Sequence, residues 1–496
     1  MLAVHDRVAG EWDAIVCGGG TAGSLVAARL VEAGRRVLLL EAGPDYGHLD
    51  EGRWPADLLN SATIPESHDW GYTSGPELPG RSLPYERARV IGGCSAHNGC
   101  TVSWGHRADY DAWNLPGWSG AELLPLFAEA SRRIRTRSFT DAELAPMHRG
   151  FIEAGAAAGL ARVDDMATLD GVPGVGAEPS NSPDGVRWNA ALAYLDPVRR
   201  DPALDVRGDS TVDRVLVEHG RAAGVRAIAA GGPAFDARAG LVVLTGGAYG
   251  TPAMLLRSGI GPGADLRGLG IDVVCDNPGV GAGLHDHPGF ELYHTATAEL
   301  ERRNAAFAAG GMAVPDEQGF AKAASSLCSG APFDLHVFPA VAMHDRRPSV
   351  YIACVTPRSR GRITLSSSDP AAPPRIDHGL LTDPAGHDQK VLVEGVAIAR
   401  EITARHELAE LLGAEVEPGP GAEPAAAIRA GVVHYWHPVG SCALGSACDE
   451  RGRVYGVEGL VVSDASLFPQ TPRATTNVPT LVAAARVAEW IVAGPG

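Results

Sequence analysis

The sequence predicts an α/β protein: a nucleotide-binding module of parallel strands and helices, interrupted by a second layer of α+β type. Two observations carry this. Near the N-terminus an apolar run, residues 12–17, meets the glycine turn Gly18-Gly19-Gly20-Thr21-Ala22-Gly23, and a helical pattern over 21–33 and a second apolar run over 36–40 follow in βαβ order. The strand-plus-helix theme then returns, with 240–245 before 251–257 and 459–462 before the helical period of 479–492. Between residues 301 and 433 the pattern changes. The β-branched runs SVYIACVT and GRITLSS precede an amphipathic helix over 391–403, as an inserted layer requires.

The chain has 496 residues, 45% of them hydrophobic, enough to bury more than one core and too apolar for disorder. Among its 42 basic residues only Lys322 and Lys390 are lysines, and 59 acidic residues leave a formal net charge of -17. Lys322 follows Ala321 and Lys390 follows Gln389, so a Gly-Lys-Ser/Thr phosphate loop is excluded. Two lysines also make Schiff-base chemistry a poor match. The negative charge removes the electrostatic drive toward nucleic acid and membrane surfaces, so small-molecule partners are expected. Eight scattered cysteines without C-x-x-C spacing suggest buried free thiols and no metal site. The N-terminal MLAVHDRVAGEWDAIV lacks a basic segment followed by an apolar stretch, and no 18-residue apolar run occurs, so a soluble cytoplasmic protein is expected. Residues 417–427, rich in Ala, Gly and Pro, read as a surface loop.

In the glycine turn, the G-x-G-x-x-G spacing follows a strand and opens a helix, the context in which the motif holds a dinucleotide. Gly18 makes the tight turn, Gly20 lets a pyrophosphate approach the backbone, and Gly23 allows close helix-strand packing. The N–H groups at the helix start, Thr21 and Ala22, point at the anion. Glu41 ends the second strand, where a carboxylate accepts hydrogen bonds from ribose hydroxyls and disfavours a 2′-phosphate. The module alone leaves NAD and FAD open.

Four segments, in order, resemble the glucose-methanol-choline family of FAD-dependent oxidoreductases. They are the glycine turn with Glu41-Ala42-Gly43-Pro44; RVIGGCSAHNGCTVSWGHRADYDAW from Arg89; GAYGTPAMLLRSGIG over 247–261; and HPVGSCALG from His437 with VSDASLFPQTPRATTNVPTL from Val462. The resemblance implies a Rossmann-like FAD-binding domain made of residues 1–157, 187–300 and 435–496. An inserted substrate-binding domain on an antiparallel sheet takes 158–186 and 301–434. The implied activity is oxidation of the CH–OH group of a small alcohol, with electrons passed to dioxygen or another acceptor.

His97 stands before the Asn of the GG-x-S motif, where choline-oxidising members carry a histidine bonded covalently to the flavin 8-methyl carbon. His97 is therefore the expected attachment site, with Gly93, Asn98 and Cys100 near the isoalloxazine. The resemblance places His437 and Asn477 beside the reactive flavin nitrogen. A hydride leaving an alcohol carbon requires its hydroxyl proton to go elsewhere, and a neutral imidazole suits that task. His437 is the expected base, and the Asn477 amide orients the alkoxide. His434, three residues upstream, is a competing imidazole. Asp464 and Ala465 are implied at the flavin phosphate and ribitol, Ala42 beside Glu41, Val215 at the adenine, and Val478 at the pyrimidine edge.

For the substrate, Glu317 matches a carboxylate that holds the ammonium group in choline-oxidising members. Pro315 and Asp316 replace the aromatic residues expected before it, and an ammonium site needs aromatic faces. Tyr435, Trp436, His336 and His344 are the other substrate candidates. Tyr435 stands where those members carry a small aliphatic residue, which leaves oxidase and dehydrogenase open. Two alternatives are an FAD-containing lyase of the cyanohydrin-cleaving type and a catalytically silent dinucleotide-binding protein. The intact His437 and Asn477 pair argues against the silent protein, while the lyase would use the same His437 as its base.

Overall fold

The computed structural model describes residues 12–75, 81–312, 315–341 and 347–494; His344 and the first 11 residues of the segment read for a leader lie outside the described residues. Strand Ala14–Cys17, helix Thr21–Glu32 and strand Val37–Leu40 form the expected βαβ unit. A five-stranded parallel sheet grows from it in the order Leu460–Val462, Val242–Leu244, Ala14–Cys17, Val37–Leu40, Leu204–Arg207. Its strands AIVC and VLLL are buried at every residue, as a parallel sheet covered on both faces demands. Helix Asn477–Ala493 packs beside Thr21–Glu32 and is apolar almost all round because it is enclosed almost all round.

The second layer is a seven-stranded antiparallel sheet along the path Leu412–Glu417, Pro288–Ala296, Pro348–Cys354, Leu335–Val341, Gly319–Ala323, Gly174–Ala177, with Val433–His434 pairing to the start of the second of these. Strand alternation sorts its side chains onto two faces. Ala321, Leu335, Val337, Val350 and Ile352 share a core with helices Pro146–Ala157 and His387–Thr403. Phe320, Phe338 and Tyr351 join Tyr435 in a separate cluster on the other face. Two elements reach across the expected divisions at residues 157 and 300. Pro146–Ala157 packs on this sheet, and Pro288–Ala296 belongs to it through the alternation of buried Phe290 and Leu292 with partly exposed Glu291 and Tyr293.

Three boundaries differ from the sequence pattern for local reasons. The helix expected at 391 starts at His387, where the Asp383 carboxylate accepts the N–H groups of His387 and Asp388. Part of the expected surface loop becomes helix Pro424–Gly431, capped by the Glu423 carboxylate. The helix after Val242–Leu244 starts at Gly247 rather than 251, with the Gly247 N–H donated to Asp464. All eight cysteines are free thiols. Among the described residues, no helix is long and apolar enough to cross a membrane.

Candidate active site

Residues of both sheets enclose a cavity of about 500 Å³. Its first end is built of backbone. Gly18 has φ +110°, and a Cβ there would lie 2.6 Å from the Thr245 carbonyl oxygen. At Gly23 a Cβ would lie 1.8 Å from the Gly18 oxygen, so this glycine packs helix on turn behind the cavity wall. Gly93, at φ +53°, faces Gly20 so closely that a Cβ would sit 2.6 Å from the Gly20 Cα. Gly18, Gly20, Thr21, Ala22, Glu41, Ala42 and Gly93 all line the cavity. The Glu41 carboxylate accepts the N–H groups of Gly19 and Gly43, each at 2.8 Å, and ties the strand end to the turn. Burial pushes its carboxyl up to about 7, against the pull of those two bonds.

Asp464 and Ala465 also line this space. Asp464 accepts the Gly247 N–H at 2.9 Å, the Thr251 hydroxyl at 2.6 Å and the Ser466 N–H at 2.8 Å, so it clamps the C-terminal segment to the start of helix Gly247–Arg257. Val215 does not reach the cavity. Its N–H is spent on the Ser258 hydroxyl at 2.8 Å and its side chain is in the core, while Ser210, Thr211 and Val212 of the same strand line the wall. Val478 is likewise buried in helix packing, one residue from Asn477 on the wall. Asn98 lines the cavity and caps the Cys100 N–H at 3.1 Å; Cys100, at φ +64°, lies behind it against Arg187.

His97 lines the cavity with its Nε2 2.7 Å from the Ser67 carbonyl oxygen. A carbonyl only accepts, so Nε2 carries the proton and Nδ1 keeps its lone pair. Burial holds this imidazole below the usual histidine range.

The far end is built of side chains. His437 donates its backbone N–H to both oxygens of buried Asp286, at 3.0 and 2.9 Å. Its Nδ1 meets His287 Nδ1 at 3.3 Å, and His287 Nε2 sits 3.1 Å from the Pro472 carbonyl oxygen. That carbonyl fixes the proton on His287 Nε2, which makes His287 Nδ1 an acceptor. His437 Nδ1–H therefore donates, and His437 Nε2 carries a free lone pair. Burial keeps the His437 imidazole neutral, well below the usual histidine range; His287 adds to this and Asp286 opposes it. Asn477 accepts the Thr21 hydroxyl on Oδ1 at 3.3 Å, while its buried Nδ2 has no hydrogen-bond partner among the described residues. A buried amide donor left unpaired costs about 1–3 kcal/mol.

Trp436 precedes the base at φ +58°, a left-handed conformation costing a bulky residue ~1–3 kcal/mol. Its indole N–H donates to Glu86 at 2.8 Å and its carbonyl accepts from Arg87 at 3.1 Å, which holds the strained turn. His434 is no competitor: Nε2 donates to the Pro84 oxygen, Nδ1 accepts the Trp436 N–H, and it is absent from the wall. Tyr435, Trp436 and Glu317 line the cavity; His336 is wholly buried outside it, with neither ring nitrogen hydrogen-bonded among the described residues. His336 shares the Phe338 face of its strand, and Tyr435, Phe320 and Phe333 seal it there.

Sequence reasoning misses Asp286 and His287, although His285-Asp286-His287 packs three chemistry-bearing residues together. Asp286 also lies beside His378 and His434, and Cys354 beside His387 and Asp388; each buried trio brings its donor atoms within 4.8 Å, juxtapositions that no sequence spacing announces.

A glycine-turn α/β module and a neutral imidazole on the wall of one cavity fit a dinucleotide-dependent oxidoreductase. The chain belongs to the GMC oxidoreductase family, whose N- and C-terminal models match residues 12–289 and 357–484. It is 33% identical to choline oxidase of Arthrobacter globiformis, over 97% of this chain and 94% of that protein. It is 32% identical to an alcohol dehydrogenase [acceptor] of Pseudomonas putida, over 97% and 96%. Pyridoxine 4-oxidase from Mesorbium loti superposes with a TM-score of 0.85 at 27% identity, covering 96% of this chain and 98% of that one.

Proposed function

We propose that the chain oxidises an alcohol to a carbonyl with FAD, His437 acting as general base and Asn477 orienting the alkoxide. The observation that carries this reading is the tautomer-fixed His437 on the wall of a cavity that Asn477 and the glycine turn also line. The residues fit the cofactor: the Gly20 and Gly93 backbones leave a wall free of side chains, and Glu41 stands at the strand end beside it. Bound FAD supplies a ring that accepts the hydride from the alcohol carbon. The helix start at Thr21 and Ala22 binds the pyrophosphate, and Glu41 the ribose hydroxyls. His437 Nε2 takes the hydroxyl proton while an Asn477 N–H holds the oxygen as charge develops on it.

His97, with its free Nδ1, is the proposed covalent attachment residue. The cofactor region takes 1–157, 187–300 and 435–496 and the substrate layer 158–186 and 301–434, except that the packing of Pro146–Ala157 and Pro288–Ala296 supports placing both with the substrate layer. A cytoplasmic location suits eight unpaired thiols. The test is anaerobic addition of an alcohol panel to the holoenzyme. Bleaching of the flavin band supports oxidation; product without bleaching supports the lyase; no change with any alcohol overturns the reading. Acid precipitation that leaves all flavin in the supernatant overturns the covalent link.

A further inference from the structure

His437 stands on a bulge that one carboxylate holds open. On one side of it Val433 and His434 pair with Gly289 and Pro288, and the Tyr435 N–H donates to the His287 carbonyl at 3.1 Å. On the other side His285 and Val439 exchange N–H···O bonds of 3.1 and 2.9 Å. Between these pairs one segment has a single residue, Asp286, and the facing segment has three, Trp436, His437 and Pro438. The ladder therefore has no carbonyl for the His437 N–H, and the Asp286 side chain takes it with both oxygens, at 3.0 and 2.9 Å. The carbonyl of the same peptide, that of Trp436, accepts from Arg87 at 3.1 Å. One peptide plane is thus held by an anion at its N–H and by a cation at its C=O, and the His437 side chain leaves from that plane.

Among the described residues, the other hydrogen bond to Asp286 comes from the His287 N–H at 2.7 Å. His378 and His434 approach with Nδ1, but at 3.9 and 3.8 Å from Asp286 Oδ2 neither donates to it. His434 Nδ1 is occupied instead by the Trp436 N–H. Burial pushes the Asp286 carboxyl up; His434, and then His378 and His437, outweigh burial and hold it well below the usual carboxylate range. Asp286 is therefore a buried anion that no side-chain donor neutralises. At the His437 ring, burial, His287, Arg87 and His434 disfavour a positive charge, and Asp286 alone among these groups favours it.

We infer that Asp286 is a positioning residue for the base: it fixes the direction of the His437 side chain through the backbone and supplies the buried negative charge that the ring needs when it becomes cationic. This rests on the alcohol-oxidising reading above. As the alcohol O–H bond breaks, its proton forms an N–H bond at His437 Nε2, and the ring gains a full positive charge in a buried site. His287 offers that ring a neutral acceptor, and Arg87 repels it. A buried cation without a counter-charge is costly, and Asp286 is the counter-charge at hand. The bound alcohol is neutral and gains nothing from Asp286, so the effect falls on the rate and not on binding.

The test is a double-mutant cycle on anaerobic flavin reduction in the holoenzyme, with an alcohol that bleaches the parent. Asp286→Asn keeps an oxygen that can accept the His437 N–H and removes the charge. It is expected to lower the limiting reduction rate by roughly 10- to 100-fold, the range for a hydrogen bond to a charged group. The half-saturating alcohol concentration and the flavin content should stay at parent values. In a His437→Ala background the same substitution should cost no more than about 2-fold, because the group it serves is gone. A substitution that merely loosens the fold multiplies the two losses, and that result overturns the inference. A loss confined to the half-saturating concentration overturns it too. If Asp286→Asn purifies without flavin, Asp286→Glu takes its place: the charge stays, the clamped peptide shifts, and a smaller loss should again vanish beside His437→Ala. Loss of flavin from both variants assigns Asp286 to the fold and overturns the inference. Asp286→Asn at the parent rate beside a slow His437→Ala sinks this inference alone, whereas failure of every alcohol to bleach the parent sinks the alcohol-oxidising reading and this inference with it.

Discussion

The two ends of the cavity recognise by opposite means. At the proposed nucleotide end the wall is backbone: Gly18, Gly20 and Gly93 leave space free of side chains, and Glu41 is occupied in holding the turn. At the substrate end the wall is side chain: Tyr435, Phe338, Tyr351, Glu317 and His437 come from strands and turns far apart in the chain. A backbone site tolerates no added atom but is indifferent to most neighbouring side chains. A side-chain site tolerates replacement and changes its chemistry with each one.

The sharpest way to test that contrast is one small change at each end. Gly23→Ala places a carbon 1.8 Å from the Gly18 oxygen, so the turn must open and the purified protein is expected to be colourless. Tyr435→Phe, by contrast, should retain the full flavin absorbance. A yellow Gly23→Ala protein with normal flavin content contradicts the backbone account.

Next in size is the base. His437→Ala should keep the flavin spectrum and slow anaerobic flavin reduction by about 10²- to 10⁴-fold, the range for a lost general base. Reduction at the parent rate refutes the assignment.

How much of each end is legible in the sequence follows from the same contrast. Gly18, Gly23 and Gly93 meet backbone requirements that only glycine satisfies, so the glycine spacing, read with the strand before it, the helix after it and Glu41 beyond, announces the turn. His437 and Asn477 are legible through family resemblance. Val215 departs from its expected place at the adenine because its N–H is taken by Ser258, a partner 43 residues away that no local pattern shows. His336 departs from the substrate wall although it shares the Phe338 face of its strand, because the rings of Phe320, Phe333 and Tyr435 cover it. The aromatic faces missing beside Glu317 in sequence are supplied by Phe338, Tyr351 and Tyr435, united only by sheet pairing and the turn after Val433–His434.

His287 tests a smaller effect at the side-chain end. His287→Phe removes the acceptor that fixes the His437 tautomer, and flavin reduction is expected to fall by roughly 10- to 100-fold with unchanged flavin content. His287→Asn, which can present an amide oxygen, should recover part of the rate. Equal loss in both variants means that packing alone matters there.

The smallest expected effect separates the two ends by acid. His287 and His148 are held down to about 4, and His285 and His378 to about 3, in each case first by burial. Their folded values lie below the unfolded value near 6.5. Between those limits the unfolded chain binds protons that the folded chain refuses, so stability rises with pH and is lost as pH falls from about 6.5 toward 4. His148 packs beneath the antiparallel sheet, and the other three surround Asp286 or the start of strand Pro288–Ala296. None lies in the five-stranded parallel sheet. The thermal midpoint should therefore drop by a few degrees per pH unit in this window. Amide exchange should accelerate first in Pro288–Ala296 and Gly319–Ala323, while Ala14–Cys17 and Val37–Leu40 stay protected. Simultaneous loss of protection in both sheets refutes the difference, because it means that acid unfolds the cofactor end and the substrate end as one unit.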